Sequence, residues 1–388
     1  MRWDQRRIVF VTTPNSDPWS GAEELWARTA VEMLARGVSV SASVTEFPQL
    51  HPRLLDLQRR GADLWLRPDW YSLRKHPWRR LNSRGKSPIV YELERLLAAR
   101  LPELVVLSDG NGLPSIDLME LCVGRRIPFI TIMHGNRENT WYANDLARRY
   151  RQALTVSQRC FFMSEGNRHL SEKQIGGAYT NAEIVRSPVN VSFDVSLSWP
   201  PLGPDEEIRF ACVGRLFPPA KGHDLLFEAL ANPVWKDRSW KLYVYGDGDM
   251  GDSLRWLVKK LALSDRVVFA GVATVEEIWR ANHLLIMPSR FEGLPLVMVE
   301  AMLCGRPVVA TDVAGHCEVV EDGVTGFLAD APTGNSISTA LQRFWDRRVE
   351  AEQMGNAGAR RIRQLVPRNP AEVFAEKILQ IASKSAMN

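Results

Sequence analysis

The chain has 388 residues, more than one hydrophobic core usually serves and enough for two domains. Apolar residues make up 45% and charged residues 24%, a balance that excludes a disordered, collagenous or disulfide-scaffold chain. The net charge is only +4, but residues 1–190 hold 27 basic and 20 acidic residues, a net +7, whereas the remainder holds 22 and 25, a net −3. The two halves therefore differ electrostatically.

The five cysteines are scattered and form no CxxC pair, which argues against a disulfide framework or a zinc site and favours a reducing compartment. The first apolar run, Ile8–Val11, is shorter than the ~7–15 residues of a secretory signal. No run approaches the ~20 apolar residues of a membrane span. We therefore expect a cytoplasmic protein, with peripheral attachment to the inner face of a membrane left open.

Short β-branched runs alternate with helical stretches along the first half of the chain. The predicted helix Ala22–Arg36 has apolar side chains on one face and ends at Gly37. A strand, a helix and a second strand at this spacing form a βαβ unit of a parallel sheet. The predicted strands are Ile8–Thr12, Val38–Val44, Leu104–Leu107, Phe129–Met133, Cys160–Met163 and Ile184–Val185.

The segment Pro188–Pro204 is rich in Ser, Pro and Gly and predicts a linker between two domains. We predict an N-terminal domain of residues 1–190, a C-terminal domain of residues 191–367, and a final helix within 368–388 that packs back on the first domain. Ligands of doubly wound sheets bind beyond the carboxyl ends of the strands, so a cleft between the domains is the expected site. The predicted strands of the second domain are Ile208–Val213, Leu242–Tyr245, Val267–Ala270, Leu284–Met287 and Pro307–Ala310.

A loop with two cations, Arg215 and Lys221, follows the strand that ends at Val213 and precedes a predicted helix. A forked guanidinium, a lysine point charge and a nearby helix N-terminus are typical surroundings of a phosphate group. On this segment alone, two surface cations are an equally good interpretation.

The next informative segment is Phe291–Met302, with Pro295 where the first helical residue is expected. Glu292 then lies in a loop and Glu300 inside an otherwise apolar helix, with seven residues between them. Each carboxylate can accept hydrogen bonds from two vicinal hydroxyl groups, as polyhydroxyl recognition requires. Solvated surface is the alternative for a lone Glu pair, but a carboxylate buried at Glu300 would need partners. The backbone amides that we expect to be free for an anion are those of Gly293 and Leu294.

A third segment, Val308–Leu328, predicts a buried strand, a glycine loop, a short helix and a tight turn. Together, VGRL…KG, the E-x7-E of FEGLPLVMVEAM and GRPVVATDVAGHCEVVEDGVTGFL resemble the retaining glycosyltransferases of family 4. The resemblance is dense over Ile208–Ala329 and diffuse in the first half. It implies the α/β GT-B fold, in which two doubly wound, Rossmann-like domains face a central cleft.

The resemblance also implies a role for each matching residue. Arg215 and Lys221 would neutralise the donor diphosphate, and Glu300 would hold the ribose hydroxyls. Glu292, with the amides named above, would hold the donor sugar and its phosphate, and the backbone at Val272 would contact the base. In the first domain, a glycine loop at Gly21 would approach the diphosphate and His134 would face the donor, although a structural histidine is as good an interpretation there. The implied catalytic residues are Arg215, Lys221, Glu292 and His134, and the implied donor-binding residues are Gly21, Val272, Gly293, Leu294 and Glu300.

We expect no cofactor and no metal ion, because in this family protein cations neutralise the leaving group. The sequence Gly246–Gly251 formally spells GxGxxG, but its Asp247 and Asp249 would repel a pyrophosphate at a helix N-terminus. The same pair resembles the metal-binding DxD motif of the other glycosyltransferase fold. The resemblance given above implies the GT-B fold, which is not the architecture of that motif. We therefore predict a tight turn there and no metal site.

Basic and aromatic residues alternate over Trp65–Lys86, with a single acidic residue, Asp69. Such a stretch suits an anionic membrane surface or an anionic acceptor, and a solvated loop with inward-facing tryptophans is the alternative of equal weight. A nucleic-acid partner is the weaker interpretation, and we predict none. The predicted patch consists of Arg74, Lys75, Arg79 and Arg80.

These observations predict an enzyme that transfers a sugar from a nucleotide-diphosphate sugar to a glycan, lipid-linked or small-molecule acceptor, with retention of the anomeric configuration. Two alternatives stay open: a GT-B scaffold that binds a sugar nucleotide without transfer, and a sugar-nucleotide epimerase. The base, the sugar and the acceptor are not determined by these motifs.

Overall fold

The computed structural model describes residues 6–13, 18–68, 87–110, 112–202 and 206–385. The chain divides into two compact units, one holding the residues up to Pro188 and those from Asn369 onward, the other holding Val189–Arg368. The domain ends predicted at residues 190 and 367 lie within two residues of these divisions.

The first unit is built on a seven-stranded sheet in the order β3-β2-β1-β4-β5-β6-β7, with every neighbouring pair parallel. Helices connect the strands, as a parallel sheet requires. The strands are β1 Arg7–Thr12, β2 Ser39–Thr45, β3 Asp63–Arg67, β4 Leu104–Asp109, β5 Phe129–Met133, β6 Arg159–Phe162 and β7 Ala182–Ile184. The helices are α1 Gly21–Ala35, α2 Pro52–Arg59, α3 Pro88–Arg100, α4 Ile116–Gly124, α5 Asn144–Val156 and α6 Glu165–Ile175.

The strand β3 is absent from the sequence prediction, because it is short and has a charged residue at each end. Its five residues, Asp63–Arg67, pair in parallel with β2, and Trp65 packs against the core of the first unit. Pairing with a neighbouring strand therefore decided this edge, where hydrophobic periodicity gave no signal.

The second unit is built on a six-stranded parallel sheet in the order β10-β9-β8-β11-β12-β13. Its strands are β8 Ile208–Val213, β9 Trp240–Tyr245, β10 Val267–Gly271, β11 Leu284–Met287, β12 Val308–Thr311 and β13 Gly326–Ala329. Its helices are α7 Pro218–Lys221, α8 His223–Leu230, α9 Gly251–Lys260, α10 Val275–Ala281, α11 Leu296–Leu303, α12 His316–Val319, α13 Gly334–Asp346 and α14 Ala351–Leu365. Single turns of 3-10 helix occur at Pro233–Trp235 and Arg348–Glu350.

Two local predictions in this unit need correction. The segment expected to be only a tight turn continues as β13, since Gly326–Ala329 pairs along β12. Pro295 is the N-cap of α11 and not its first helical residue, because its ψ of 133° is extended and the helix begins at Leu296. The first boundary depends on hydrogen bonds to another strand, and the second on the backbone conformation of one residue.

The final helix, α15 Pro370–Ser385, belongs to the first unit and packs along α1. Phe374 meets Phe161 of β6 edge-to-face, with ring centroids 4.9 Å apart. Arg36 also pairs with Glu372 at 3.2 Å. The helix that follows the second unit in sequence is therefore part of the first unit in space.

The linker after Pro188 is bound to the second unit through its backbone carbonyls. Arg306, which is 1% exposed, donates to the carbonyl oxygen of Ser198 at 2.8 Å, and Arg363 donates to that of Val195 at 2.9 Å. The buried His283 lies with Nε2 3.2 Å from the carbonyl oxygen of Pro200. The linker side chain Trp199 adds to this attachment, since it packs edge-to-face on His283 and lies under the guanidinium of Arg306.

Two glycines of α14 provide a matched test of packing between helices. A Cβ on Gly355 would lie 1.9 Å from the carbonyl oxygen of Gly305, whereas a Cβ on Gly358 would lie 3.6 Å from the nearest atom, the Cε of Met302. We expect Gly355→Ala to destabilise the protein by about 1–3 kcal/mol through overpacking, despite the better helix propensity of alanine. Gly358→Ala should be neutral or stabilise by up to about 1 kcal/mol. Thermal unfolding of the two variants checks this, and equal melting temperatures would contradict it.

Candidate functional site

The loop after β8 places Lys221 above the backbone of Gly214. A Cβ at Gly214 would lie 3.5 Å from both Cδ and Cε of Lys221, so the lysine side chain crosses a position where glycine leaves room. Behind it, a Cβ on Gly246 would lie 2.0 Å from the carbonyl oxygen of Gly214. The carboxyl ends of β8 and β9 are therefore in backbone contact directly beneath the lysine.

Gly222 is the residue that closes this loop. Its φ of +64° lies in the left-handed region, and a Cβ there would be 1.9 Å from the carbonyl oxygen of Pro288, which follows β11. Any larger residue would have to push the loops apart. The turn at Gly222 thus sets the distance between the Lys221 loop and the loop after β11.

Arg290 binds the same two loops together. Its backbone N–H donates to the carbonyl oxygen of Ala220 at 2.8 Å, and its guanidinium makes two bonds to Asp224, of 2.8 and 2.7 Å. A bidentate arginine–carboxylate pair is among the strongest side-chain contacts. The pairing also raises the pKa of Arg290.

Lys221 and Glu292 form an ion pair at the point where these loops meet. The Nζ of Lys221 lies 2.5 Å from Oε1 of Glu292, and the Ser289 hydroxyl donates to the same oxygen at 2.9 Å. Both charged side chains are largely covered, with 26% and 11% of their surface exposed. The structure therefore brings together the cation predicted for a diphosphate and the carboxylate predicted for a sugar.

His316 lies behind this pair and was not predicted from the sequence. It is fully buried, and its Nδ1 lies 2.6 Å from the carbonyl oxygen of Thr311, so Nδ1 carries the proton. Burial lowers the pKa of His316, and the nearby Glu292 opposes this by raising it. A backbone bond from Gly315 to Gly293, of 3.3 Å, joins the His316 loop to the Glu292 loop.

The sequence reasoning also missed Ser289, Arg290 and Asp224. All three lie within three residues of a predicted site residue, so the segments that contain them had been identified. Their roles depend on pairing between two loops some 66 residues apart in sequence, and no local pattern encodes that pairing. A polar residue beside each motif was the only available signal.

The remaining predicted residues of the second unit differ in exposure. Arg215 is exposed, with its guanidinium 5.6 Å from the centre of the Phe217 ring, and Val272 is 82% exposed just beyond β10. Within the described residues, the amides of Gly293 and Leu294 donate to no protein acceptor, although both residues are buried. The roles implied for these residues stay predictions.

Glu300 is 6% exposed within α11 and accepts a hydrogen bond of 2.9 Å from the backbone N–H of Asn190. Burial of this carboxylate was expected to require a partner, and the start of the linker provides one. Its role toward a ribose stays a prediction.

The two predicted site residues of the first unit lie at its strand ends. His134 follows β5, is 8% exposed, and has Nε2 3.0 Å from the Ser108 hydroxyl. Burial lowers the pKa of His134 to about 4, so the ring is neutral at physiological pH. Gly21 is the exposed first residue of α1, and the preceding Ser20 forms a capping box with Glu23. The roles implied for His134 and Gly21 likewise stay predictions.

The predicted basic patch of Arg74, Lys75, Arg79 and Arg80 lies outside the described residues. Of the longer basic and aromatic stretch, only residues 65–68 are described, and there Trp65 faces inward, as the alternative interpretation expects. Arg67 is 3% exposed and donates to the carbonyl oxygen of Thr12. Trp65 packs inward and donates to Glu92 at 3.0 Å. Their positions on β3 direct these two side chains toward the first unit's core.

In the part of the chain that the structure describes, no three His, Cys, Asp or Glu side chains are grouped as a metal site would require. The Asp247 side chain instead accepts from the N–H of Gly248 at 2.8 Å, within the turn after β9. The absence of a metal requirement stays a prediction. Among the same described residues, no helix is both long and apolar enough to cross a membrane.

Comparison with protein families finds a match over residues 207–347, to the model described as Glycosyl transferases group 1. This segment spans β8 to the end of α13 and holds Lys221, Glu292 and Arg290. It is somewhat more than a third of the chain.

Two curated relatives extend this finding. An uncharacterized glycosyltransferase of Methanocaldococcus jannaschii is 27% identical over 237 residues, which cover 60% of this chain and 62% of that protein. The alpha-D-kanosaminyltransferase of Streptomyces kanamyceticus is 31% identical over 160 residues, or 40% of this chain and 41% of the relative. The alignments thus span less than two thirds of these relatives' own length.

A solved structure of Anabaena HepE, in complex with UDP and glucose, has the same fold. Its TM-score is 0.72 at 17% sequence identity, and the alignment covers 97% of this chain and 100% of HepE. The two Rossmann-like, parallel-sheet units predicted from the sequence are therefore confirmed, and the fold is GT-B.

The buried histidines generate a prediction about acid stability. Burial lowers the pKa of His134, His223 and His283 to about 4, against 6.5 when exposed. Between these values the unfolded chain binds more protons than the folded chain, so the free energy of unfolding should decrease as the pH falls from 6.5 to 4. The slope should reach at most about 1.4 kcal/mol per pH unit for each histidine.

Urea unfolding at a series of pH values measures this slope. His283→Gln should reduce it, because glutamine offers a donor and an acceptor without titrating in this range. His169→Gln, at an exposed position on α6, should leave it unchanged. Stability that does not vary between pH 6.5 and 4 would refute the prediction.

Proposed function

We propose that this chain is a glycosyltransferase that moves a sugar from a nucleotide-diphosphate sugar to an acceptor, with retention of the anomeric configuration and without a metal ion. The observation that carries the proposal is the Lys221–Glu292 pair, held where the strand ends of β8 and β11 meet. The family match over residues 207–347 supports the same class, and HepE, a protein of the same fold, has been solved with UDP and glucose.

The ion pair suggests how a donor would bind. Without a ligand, Lys221 and Glu292 neutralise each other. Diphosphate oxygens would replace the carboxylate as acceptors for the Lys221 ammonium, and sugar hydroxyls would donate to Glu292. Because Ser289 also bonds Glu292, the carboxylate keeps one partner when Lys221 turns toward the diphosphate.

Rate acceleration would then come from position and charge. Negative charge grows on the diphosphate as the bond to the sugar breaks, and Lys221 with the exposed Arg215 would stabilise that charge. The unused amides of Gly293 and Leu294 add donors near the N-terminus of α11. Retention of configuration rests on the resemblance carried by the E-x7-E motif.

A cytoplasmic location belongs to the same proposal. All five cysteines are free thiols and four of them are buried, which is typical of a reducing compartment. Peripheral contact with a membrane would depend on the basic patch at Arg74–Arg80 and stays a prediction.

A panel of UDP-, GDP- and ADP-sugars tests the proposed class. We expect release of free nucleoside diphosphate from donors with one preferred base, slowly to water and faster once an acceptor is present. Release of nucleoside diphosphate without a transferred product would favour hydrolysis, an altered sugar would favour an epimerase, and no release from any donor would favour a scaffold. The anomeric configuration of the product tests retention separately.

Replacement of the central cation tests the site. Lys221→Ala should lower turnover by on the order of 10²-fold or more, the loss typical of one preorganised charge contact in a transition state. Lys259→Ala removes an exposed lysine from α9 of the same unit and should have no effect. Turnover of Lys221→Ala close to that of the unmodified protein would contradict the assignment of Lys221 to the diphosphate.

A further inference from the structure

The fully buried His316, behind the Lys221–Glu292 pair, uses one ring nitrogen and leaves the other without a partner. Its Nδ1 donates to the carbonyl oxygen of Thr311 at 2.6 Å. Its Nε2 therefore carries a lone pair, yet this atom is covered and makes no hydrogen bond. A buried acceptor without a partner is uncommon and destabilises the folded state. The ring thus has one unused position, and it lies beside the two charges of the candidate site.

Hydrogen bonds hold the loop of this histidine beside Glu292. The N–H of Gly315 donates to the carbonyl oxygen of Gly293 at 3.3 Å, which joins the residue before the histidine to the residue after the glutamate. The Thr311 hydroxyl donates to the carbonyl oxygen of Ser289, whose own hydroxyl donates to Glu292 at 2.9 Å. The ring and the carboxylate therefore lie on neighbouring loops that are bonded to each other.

The charges around the ring oppose one another. Burial lowers the pKa of His316, and Lys221 lowers it as well, whereas Glu292 and Asp312 raise it. Arg361 of α14 binds carbonyl oxygens of α12, the short helix that the histidine begins. The negative groups thus favour a protonated ring, and Lys221 opposes it. The titratable and charged groups on the segments around the ring are Lys221, Glu292, Asp312, Cys317, Glu318 and Arg361.

A diphosphate at Lys221 would change this balance. Without a ligand, the ammonium of Lys221 lies 2.5 Å from Glu292. Phosphate oxygens would compete for the ammonium, and their negative charge would cancel its effect on the ring. Glu292, with 11% of its side chain exposed, would then lack a cationic partner in a site where water screens charge poorly.

We propose that His316 is a positioning residue for Glu292: when a nucleotide-diphosphate sugar draws Lys221 away, Nε2 binds a proton and the positive ring replaces Lys221 as the cation beside the carboxylate. This role rests on the proposed function, since it requires a diphosphate at Lys221. The proton comes from solvent as the donor binds and returns to solvent when the diphosphate product leaves. The bond from Nδ1 to Thr311 is kept throughout, so the ring need not rotate.

His223 also lies close to Lys221, but its surroundings do not suit this role. Both of its ring nitrogens are buried without a partner, so no hydrogen bond stabilises a protonated ring. The neighbouring carboxylate, Asp224, is already bound by two hydrogen bonds from Arg290. We therefore expect His223 to stay neutral when a donor binds.

The coupling between Lys221 and His316 can be tested without a ligand. Isotope labelling of the seven histidines lets nuclear magnetic resonance report the protonation of each ring, and His316→Asn identifies the His316 signal. In the unmodified chain we expect a neutral ring with its proton on Nδ1 from about pH 6 to 8. Lys221→Met should raise the proton affinity of His316 at least about 10-fold, whereas Lys259→Met, at an exposed position, should not. An unchanged titration of His316 in Lys221→Met, or a change confined to His223, would overturn the proposal.

Proton uptake on donor binding is measured by calorimetric titration of the full chain with UDP-glucose, GDP-glucose and ADP-glucose. Each titration is performed near pH 7 in two buffers of different ionisation enthalpy. These donors carry no group that titrates near neutral pH, so an exchanged proton belongs to the protein. We expect uptake of up to about one proton per chain, and affinity that decreases as the pH rises because the bound state holds more protons.

Variants assign the proton to His316. His316→Asn keeps an amide donor for the carbonyl of Thr311 but does not titrate, so it should abolish the uptake. His283→Gln should retain it, because His283 lies against the linker, away from the ion pair. Glu292→Gln removes the charge that favours a protonated ring and should also abolish the uptake, which keeps the test available if His316→Asn does not fold. Uptake that persists in either His316→Asn or Glu292→Gln would contradict the proposed role.

The same titrations distinguish this inference from the proposed function. A donor that binds and is transferred without proton exchange would leave the proposed function in place and overturn the role of His316. If none of the three donors binds, the donor assignment fails, and the proposed trigger for His316 fails with it.

Discussion

The close contact between Gly222 and the carbonyl of Pro288 is the constraint on which the candidate site depends. The left-handed turn at Gly222 allows two loops, far apart in sequence, to approach without an intervening side chain. Arg290 then adds backbone and bidentate bonds between the same loops. With the distance between the loops set in this way, Lys221 reaches Glu292, and the charges predicted for diphosphate and sugar lie side by side.

Buried arginine and histidine side chains bind backbone carbonyl oxygens at several places in the molecule. Arg306 and His283 attach the linker to the second unit in this way, and the linker's Trp199 packs against both side chains. His316 does the same beside the ion pair. Arg67 departs from this pattern, because its buried charge has a single carbonyl partner.

Much of the architecture was predictable from periodicity. Eleven strands were predicted, and each corresponds to an observed strand with ends shifted by at most two residues. The two that were missed, β3 and β13, are short and sit at the edges of their sheets, where pairing with one neighbour outweighs hydrophobic pattern. The motif residues Lys221 and Glu292 were also predictable, because each follows a buried strand. Their direct pairing was not, since each was assigned to a different part of a ligand.

The sequence by itself determined the two parallel α/β units, their division near residue 190 and the residues that follow the strand ends, because alternation of apolar segments and glycine turns is a local property. Only the tertiary structure decided which polar groups meet. It placed Arg290 on Asp224, buried Arg67 against the carbonyl oxygen of Thr12, and left His134 neutral. Pair contacts and burial depend on residues that are distant in the chain. The role of a charged residue therefore depends on neighbours that the composition does not reveal.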